Sequence, residues 1–306
     1  MLRDAILAAS RNGTVKRVVA GAPLSRSVVK RFVAGESFED AVAATKKLVA
    51  GGMTVSLDHL GEDTLDAGQA DATVKAYLVL LDRLADAGLT AGGRAEVSVK
   101  LTAVGQAIDP RMALDNARRI CEAARSASTT MTLDMEDHTT TDATLSVLHE
   151  LRQDFPDTGA VLQSYLRRTE ADCRALSYAG SRVRLCKGAY NEPESVAFQS
   201  DIDVDLSYVR CLKVLMAGDG YPMVATHDPR MVAIADRLAQ HRPAGTYEYQ
   251  MLYGVRPAEQ RRLAAQGETV RVYVPYGDQW YGYLMRRLAE RPANMTFFLR
   301  ALVSRS

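Results

Sequence analysis

The sequence predicts an α/β fold: a closed (β/α)8 barrel of the TIM type, preceded by helices and followed by a last helix over the barrel mouth. From residue 54 onward, a short apolar β-rich run, a polar or glycine-rich loop and a helical stretch alternate. This alternation is typical of a parallel sheet with crossover helices. Eight such units in about 250 residues are what a closed barrel requires. An open doubly wound sheet is the alternative, but the chain has no Gly-x-Gly-x-x-Gly or Walker-type phosphate loop.

The predicted strands are short runs rich in β-branched and other apolar residues. They are residues 54–60, 95–101, 129–135, 160–166, 182–188, 221–227, 246–252 and 269–275. Helical patterns such as those at 109–126 and 228–241 follow them, and Asp or Pro often stands at the helix start, as expected for capping. Residues 1–50 are predicted to form a helical preface. Because no linker is visible, we expect one domain over residues 1–306, with the barrel and last helix in 54–306.

Composition narrows the class of protein. The chain is 47% hydrophobic and 25% charged, which is typical of a soluble globular protein. Its net charge of +1 gives no global field that would attract nucleic acid. The four cysteines are scattered and share no metal-like spacing with the five histidines, so we expect reduced thiols and no metal. No segment is apolar enough for a signal peptide or a membrane span.

Polar and charged side chains gather where the predicted strands end. These residues are Glu62, Lys100, Asp134, Gln163, Arg184, Lys187, Thr226, His227, Glu248, Gln250 and Tyr273. In a barrel, function resides at the carboxyl ends of the strands, which together form its mouth. A single charge in a strand would be weak support, since barrel interiors often hold a paired ion. A polar group in every unit instead predicts an active site at the mouth.

The last predicted helix has a polar face of its own. Tyr283, Arg286, Arg287 and Glu290 follow helical spacing and share one arc of the surface. Two adjacent guanidiniums suit a carboxylate or phosphate, which they can bind with forked hydrogen bonds. Taken alone, the segment favours a solvated face with ordinary Arg–Glu pairs. Because it follows the eighth strand, however, it can lean over the mouth.

Nine motifs in this order identify a family resemblance. They are LDHLGE, VSVKLTAV, TLDMED, LQSYLRRT, VRLCKGAY, ATHD, EYQMLYG, VYVPYG and YLMRRLAE. From about residue 35 to its C-terminus, the chain resembles proline dehydrogenase, the flavin-dependent enzyme of the first step of proline catabolism. The resemblance implies a barrel whose last helix sits over the mouth. It implies the monofunctional form, since no aldehyde dehydrogenase region follows residue 306.

The resemblance also implies roles for the strand-end residues. Arg286, Arg287 and Lys100 would grip the proline carboxylate, while Glu62 and Glu290 would pair with these cations. The implied substrate-binding residues are Lys100, Leu252, Tyr273, Tyr283, Arg286 and Arg287. The implied FAD-binding residues are Met135, Gln163, Lys187, Gly188, Ala189, Thr226, His227 and Gln250. Arg184 and Asp134 are the implied catalytic pair beside the reactive edge of the flavin, although a purely structural ion pair between them is the alternative.

The implied reaction is oxidation of L-proline to Δ1-pyrroline-5-carboxylate, with FAD as cofactor and a membrane quinone as electron acceptor. A pyrroline-5-carboxylate dehydrogenase on a separate chain would take the product. We expect a cytoplasmic protein, with peripheral attachment at the inner face of the cell membrane as a further option. The tail at residues 294–306 is compatible with a membrane surface, but packing on the barrel is favoured. Two other functions stay open: a lyase or aldolase with a Lys100 Schiff base and a phosphate-binding Arg pair, and a non-catalytic binding barrel.

Overall fold

The computed structural model describes residues 29–290, without the side chains of residues 286 and 288–290 in the last helix. Within this range, strands and helices alternate as the sequence predicts. The strands are β1 (Thr54–His59), β2 (Ala95–Val99), β3 (Met131–Leu133), β4 (Ala160–Gln163), β5 (Arg182–Cys186), β6 (Tyr221–Ala225), β7 (Glu248–Leu252) and β8 (Val270–Tyr276). Seven of them lie inside the predicted runs, and β8 extends one residue beyond its run, to Tyr276.

The helices follow the strands in the order that a barrel requires. They are α1 (Phe38–Ala50), α2 (Ala67–Asp86), α3 (Pro110–Ser126), α4 (Thr141–Asp154), α5 (Thr169–Ala175), α6 (Asp201–Ala217), α7 (Pro229–Ala239), α8 (Pro257–Ala265) and α9 (Trp280–Glu290). The expected caps are present: Asp109 and Asp228 each accept a hydrogen bond from a first-turn N–H, with Pro at the next position. Helix α1 lies within the segment predicted as a helical preface, whereas residues 1–28 and the tail at 294–306 lie outside the described residues.

The eight parallel strands close into a barrel. Neighbouring strands pair in the order β3-β2-β1-β8-β7-β6-β5-β4, so the last strand lies beside the first. The two ends of this order meet at a bridge between Thr132 and Gly159, where Leu133 N–H donates to Gly159 O at 2.9 Å. A Cβ at Gly159 would lie 2.3 Å from Thr132 Oγ1, so closure at this point needs glycine.

The apolar core lies between the strands and the outer helices. Leu57, Val97 and Val272 on the outward face of the sheet are fully buried, as are Leu80 and Leu84 of α2. Each such side chain contributes on the order of 2 kcal/mol by leaving water. The inward face of the strands carries mostly polar residues instead, and this division places the chemistry of the molecule inside the barrel. None of the helices in residues 29–290 is long and apolar enough to cross a membrane.

Candidate active site

The inside of the barrel holds a balanced set of buried charges. Among the described residues of the strands and their first following positions, four carboxylates and four cations line the interior. They are Asp58, Glu96, Asp134, Glu248, Lys100, Arg182, Arg184 and Arg271. A buried charge is costly unless it is paired, so equal numbers of opposite charges keep this interior stable. The charges form two layers. The mouth layer holds Asp58, Lys100, Asp134 and Arg184, and the lower layer beneath it holds Glu96, Arg182, Glu248 and Arg271.

Asp134 is the centre of the mouth layer. Its Oδ1 accepts hydrogen bonds from Arg184 Nη1 at 2.7 Å and from Ser98 Oγ at 2.8 Å. Its Oδ2 accepts one from Tyr273 OH at 2.7 Å, and Lys100 Nζ lies 3.8 Å away. The Arg184 guanidinium also stands over the Tyr273 ring, 5.2 Å from the ring centroid. Four residues on or directly after three strands, β2, β5 and β8, are therefore fixed around one carboxylate.

Lys100 has a partner that the sequence analysis missed. Its Nζ donates to Asp58 Oδ2 at 2.7 Å, whereas we expected Glu62, Glu290 or the substrate carboxylate as the partner. Burial by itself would lower the pKa of Lys100, but Asp58, Asp134 and Glu62 outweigh it and raise the pKa well above its ordinary value. A Schiff base requires a neutral amine, so this charged lysine disfavours the lyase or aldolase alternative.

The same buried surroundings favour the protonated forms of both Asp58 and Tyr273. Burial, together with the nearby Asp134 carboxylate, raises the pKa of Asp58 although Lys100 opposes the shift. Burial and the carboxylates of Asp134 and Asp58 raise the pKa of the Tyr273 hydroxyl well above its usual range. The hydroxyl therefore stays a hydrogen-bond donor at every physiological pH.

The position of Glu248 in the lower layer corrects its predicted place at a strand end. Glu248 opens β7 and lies beneath the mouth, not at it, because it is the first residue of the strand. It accepts hydrogen bonds from Arg271 Nε at 2.8 Å and from Gln250 Nε2 at 2.5 Å. Glu96 accepts from Arg182 Nη2 at 2.6 Å. Gln250 connects the layers, since its Oε1 accepts from Arg184 Nε at 2.5 Å.

The last helix, α9, lies across the mouth. Tyr283 is buried, and the Arg287 guanidinium stands 5.3 Å from the centroid of its ring. The charge of Arg287 also acts on Cys186, the last residue of β5, which brings this cation to the strand ends. Arg286 and Glu290 belong to the same helix, but their side chains lie outside the described residues.

Gln163 presents an unused acceptor at the end of β4. Its side-chain N–H group donates to the main-chain oxygens of Met135 at 3.1 Å and Glu136 at 2.7 Å. These bonds fix the direction of the amide, so Oε1 must be the free end. Oε1 is buried and has no hydrogen-bond partner among the described residues. Such an atom calls for a ligand donor or an ordered water.

The turn after β5 is occupied by protein groups on two sides. The Lys187 ammonium pairs with Asp205 and, at 3.1 Å, with Asp228 Oδ2. Gly188 has φ +113°, and a Cβ there would lie 2.4 Å from the Tyr165 ring. Packing against Tyr165 therefore explains the glycine without any ligand. Ala189 follows in the same half-buried turn.

The ends of β6 and β7 are joined by His227. Its Nε2 accepts a hydrogen bond from Leu252 N–H at 2.9 Å, which assigns the proton of a neutral ring to Nδ1. Thr226 is buried, and its Oγ1 accepts from Asp228 N–H at 3.1 Å. These strand-end residues thus share one rim of the mouth.

Comparisons with known proteins agree with this geometry. Residues 41–300 match the family described as Proline dehydrogenase. The chain belongs to the proline dehydrogenase family. It is 37% identical to Proline dehydrogenase 1 of Bacillus subtilis (strain 168) over 307 residues, covering all of both chains. It is 40% identical to Proline dehydrogenase of Deinococcus radiodurans over 284 residues, covering 90% of each chain. These matches confirm the resemblance and the prediction of an enzyme.

A solved structure supports the fold of this family member. The chain is similar to proline utilization A from Bdellovibrio bacteriovorus inactivated by N-propargylglycine, with a TM-score of 0.80 and 27% identity. The match covers 91% of this chain and 34% of that one. The predicted (β/α)8 barrel is thereby confirmed.

Sequence reasoning overlooked Asp58, Ser98 and three of the lower charges, Glu96, Arg182 and Arg271, although strand periodicity carries a signal for several of them. Side chains two residues apart face the same side of a strand. In β1 this places Ser56 and Asp58 together, and in β2 it places Glu96, Ser98 and Lys100 together. Both sets are buried polar residues between apolar neighbours. An inward polar face in these two strands was therefore visible beforehand.

Proposed function

We propose that the protein oxidises L-proline to Δ1-pyrroline-5-carboxylate, with FAD as the hydride acceptor and a quinone as the final electron acceptor. The observation that carries this proposal is the mouth layer itself. Lys100, Arg184 and Tyr273 converge on Asp134 beneath the helix that bears Arg287. Cations grouped around one point suit a small anionic substrate. The printed names of the relatives support proline as that substrate.

The cations would bind the carboxylate of proline. Lys100 and Arg287 lie at the strand ends, and Arg286 is the neighbour of Arg287 on α9. A forked guanidinium gives a carboxylate both charge and direction. Tyr273, Tyr283 and Leu252 would then wall the pyrrolidine ring, so that C5 is held in one orientation. Glu62 and Glu290 would keep the cations in place.

The same cations would assist release of the amine proton. Proline must lose the proton of its secondary ammonium before a hydride can leave C5. Positive charges near an ammonium disfavour its charged form and lower its pKa. Lys100 stays protonated because Asp58 and Asp134 stabilise it, so its charge remains in place through the reaction. The protein would thus favour the neutral amine, and the ammonium proton would pass to solvent water.

The residues at the mouth fit a flavin. The unpartnered Oε1 of Gln163 would accept a hydrogen bond from the imide N–H of an isoalloxazine ring. Arg184 is a buried cation that can stabilise negative charge on the ring. Met135, Lys187, Gly188, Ala189, Thr226, His227 and Gln250 are the further FAD-binding residues proposed here. When bound, FAD would supply the acceptor for the hydride from C5.

Steps beyond the barrel complete the proposal. Electrons would pass to a membrane quinone, and the pyrroline would hydrolyse to glutamate semialdehyde. A separate pyrroline-5-carboxylate dehydrogenase would consume that product. We place the protein in the cytoplasm, at the inner face of the membrane when it meets the quinone.

The test is the colour of the purified protein and its response to proline. We expect a yellow protein whose flavin absorbance bleaches under anaerobic conditions when L-proline is added, and whose released cofactor co-elutes with FAD. A protein that is inactive and colourless even after FAD is supplied would contradict the proposal. In that case, borohydride trapping of an adduct at Lys100 would support the lyase alternative, and its absence a binding barrel.

A further inference from the structure

Glu136 lies in the mouth, but none of the roles above uses its side chain. It follows Met135 in the loop after β3 and is buried, with 5% of its surface exposed. Its Oε2 accepts a hydrogen bond from Thr102 N–H at 3.1 Å, and its Oε1 accepts one from the Thr102 hydroxyl. Thr102 follows Lys100 in the loop after β2. A buried carboxylate thus holds one threonine by two bonds.

Thr102 in turn holds the loop after β1. Asp63 N–H donates to Thr102 Oγ1 at 3.3 Å, and Thr64 N–H donates to Thr102 O at 3.2 Å. Asp63 has φ +54°, a left-handed conformation that residues other than glycine rarely adopt. Asp adopts it more readily than most residues, and surrounding contacts help to hold it there. The contacts present here are those with Thr102.

The loop held in this way carries Glu62. Glu62 directly precedes Asp63 and is half-buried, and its charge acts on both Lys100 and Glu136. The main-chain oxygen of Glu136 also accepts from the Gln163 amide at 2.7 Å. Glu136 therefore ties together the loops that follow β1 and β2 and the end of β4.

We propose that Glu136 is a positioning residue that acts through Thr102. It fixes the loop after β1, and this loop holds Glu62 beside the cations that bind the substrate. Its effect on proline binding rests on the proposed function, whereas its effect on the loop does not. A carboxylate can accept both hydrogen bonds from Thr102, and a hydroxyl can at once donate to Glu136 and accept from Asp63.

The two hydrogen bonds between Thr102 and the Glu136 carboxylate, here called the clamp, are sensitive to protonation. Burial raises the pKa of Glu136 to about 7, although the two Thr102 bonds oppose the shift. The charged groups that face it are Lys100, which favours the carboxylate, and Glu62, which disfavours it. Protonation would turn one of the acceptor oxygens into a donor, so the bonds to Thr102 cannot all persist unchanged. The position of the Glu62 loop should therefore respond to pH near neutrality.

The test compares Thr102→Val with Thr102→Ser in the FAD-loaded protein. Valine is similar in shape but removes the hydroxyl, whereas serine keeps it. We expect Thr102→Val to speed amide hydrogen exchange in residues 60–66 and to raise KM for proline, each about fivefold, the loss typical of one hydrogen bond. We expect kcat to stay within about twofold, since the clamp touches no reacting atom. Thr102→Ser should behave as the unmodified protein does.

A second variant tests the carboxylate. Glu136→Gln cannot ionise, so it should remove a step in KM near neutral pH that the unmodified protein shows. Unchanged exchange and KM in Thr102→Val, or equal defects in the valine and serine variants, would overturn the proposal. Faster exchange with unchanged KM would overturn the role in substrate positioning. Amide exchange needs no proline oxidation, so it still tests the clamp if the proposed reaction fails.

Discussion

The two charged layers of the barrel contain similar residues but differ in how completely their buried polar groups are hydrogen-bonded. In the lower layer, Glu96 is held by guanidiniums, and Arg271 also donates to the main-chain oxygens of Val55 and Gly93. In the mouth layer, Asp58 Oδ1 and Gln163 Oε1 are buried and have no hydrogen-bond partner among the described residues. A fully bonded layer supports the fold, whereas unmatched groups are typical of a site that a ligand completes.

The pKa values express the same contrast. Burial alone would raise the pKa of Glu96, but Arg182, Arg271 and Arg184 outweigh it and lower the pKa to about 2. At the mouth, burial prevails and raises the pKa of Glu136 to about 7. The lower layer thus stabilises the charged form of Glu96, whereas the surroundings at the mouth favour the protonated form of Glu136.

The largest predicted effect comes from removing the cations above the mouth. The double variant Arg286→Ala, Arg287→Ala should lower kcat/KM for proline on the order of a thousandfold, because two charge-assisted contacts to the carboxylate are lost. Most of the change should lie in KM. FAD absorbance of the purified variant is the control and should remain. Normal proline oxidation by this variant would show that the site is assigned wrongly.

A matched pair of substitutions then tests whether the charges of both layers are effectively buried. Lys100→Met and Arg271→Met each remove one buried cation and leave buried carboxylates unpaired. Each should lower the free energy of unfolding by roughly 3–5 kcal/mol. Urea unfolding followed by circular dichroism measures both. A loss below about 1 kcal/mol in either variant would mean that its pair is not effectively buried.

The pH dependence of stability sharpens the contrast. The lowered pKa of Glu96 gives stability that is present above its ordinary pKa of 4.5 and is lost as pH falls towards about 2. The raised pKa of Glu136 gives stability that is present below 4.5 and is lost as pH rises through about 7. Each contribution is on the order of 3 kcal/mol.

Two glutamine variants check these opposite signs. Urea unfolding across pH should show that Glu96→Gln removes part of the acid-side loss of stability. Glu136→Gln should remove part of the decline towards neutral pH. The same sign of change in both variants would contradict the assigned shifts.

The smallest predicted effect concerns one hydroxyl. Tyr273→Phe removes the hydrogen bond to Asp134 Oδ2 but keeps the ring under Arg184. Asp134 retains its bonds from Arg184 and Ser98, so we expect a fall in kcat/KM of about three- to tenfold. Steady-state kinetics with proline measure it, and unchanged kinetics would show that this bond does not support the site.

The barrel could be predicted from the sequence because its periodic pattern is local. Each strand run and each cap, such as Asp109 before Pro110, is legible within a few residues. Lys100 and Asp134 could be found because they directly follow strands, and strand ends must meet at the mouth. The Lys100–Asp58 pair could not, because it depends on the register between β1 and β2. The packing of the Tyr165 ring against Gly188 could not be predicted either, because it joins two loops.

The division into two layers is tested most directly by the affinity of Lys100→Met and Arg271→Met for proline. Anaerobic bleaching of the flavin reports this affinity. The measurement should be made well below the unfolding temperature of both variants. Lys100→Met should weaken proline binding on the order of a hundredfold, since it removes a charged contact to the carboxylate. Arg271→Met should bind proline within about twofold of the unmodified protein. Equal weakening in both variants, or normal affinity in Lys100→Met, would contradict the division into a structural layer and a substrate layer.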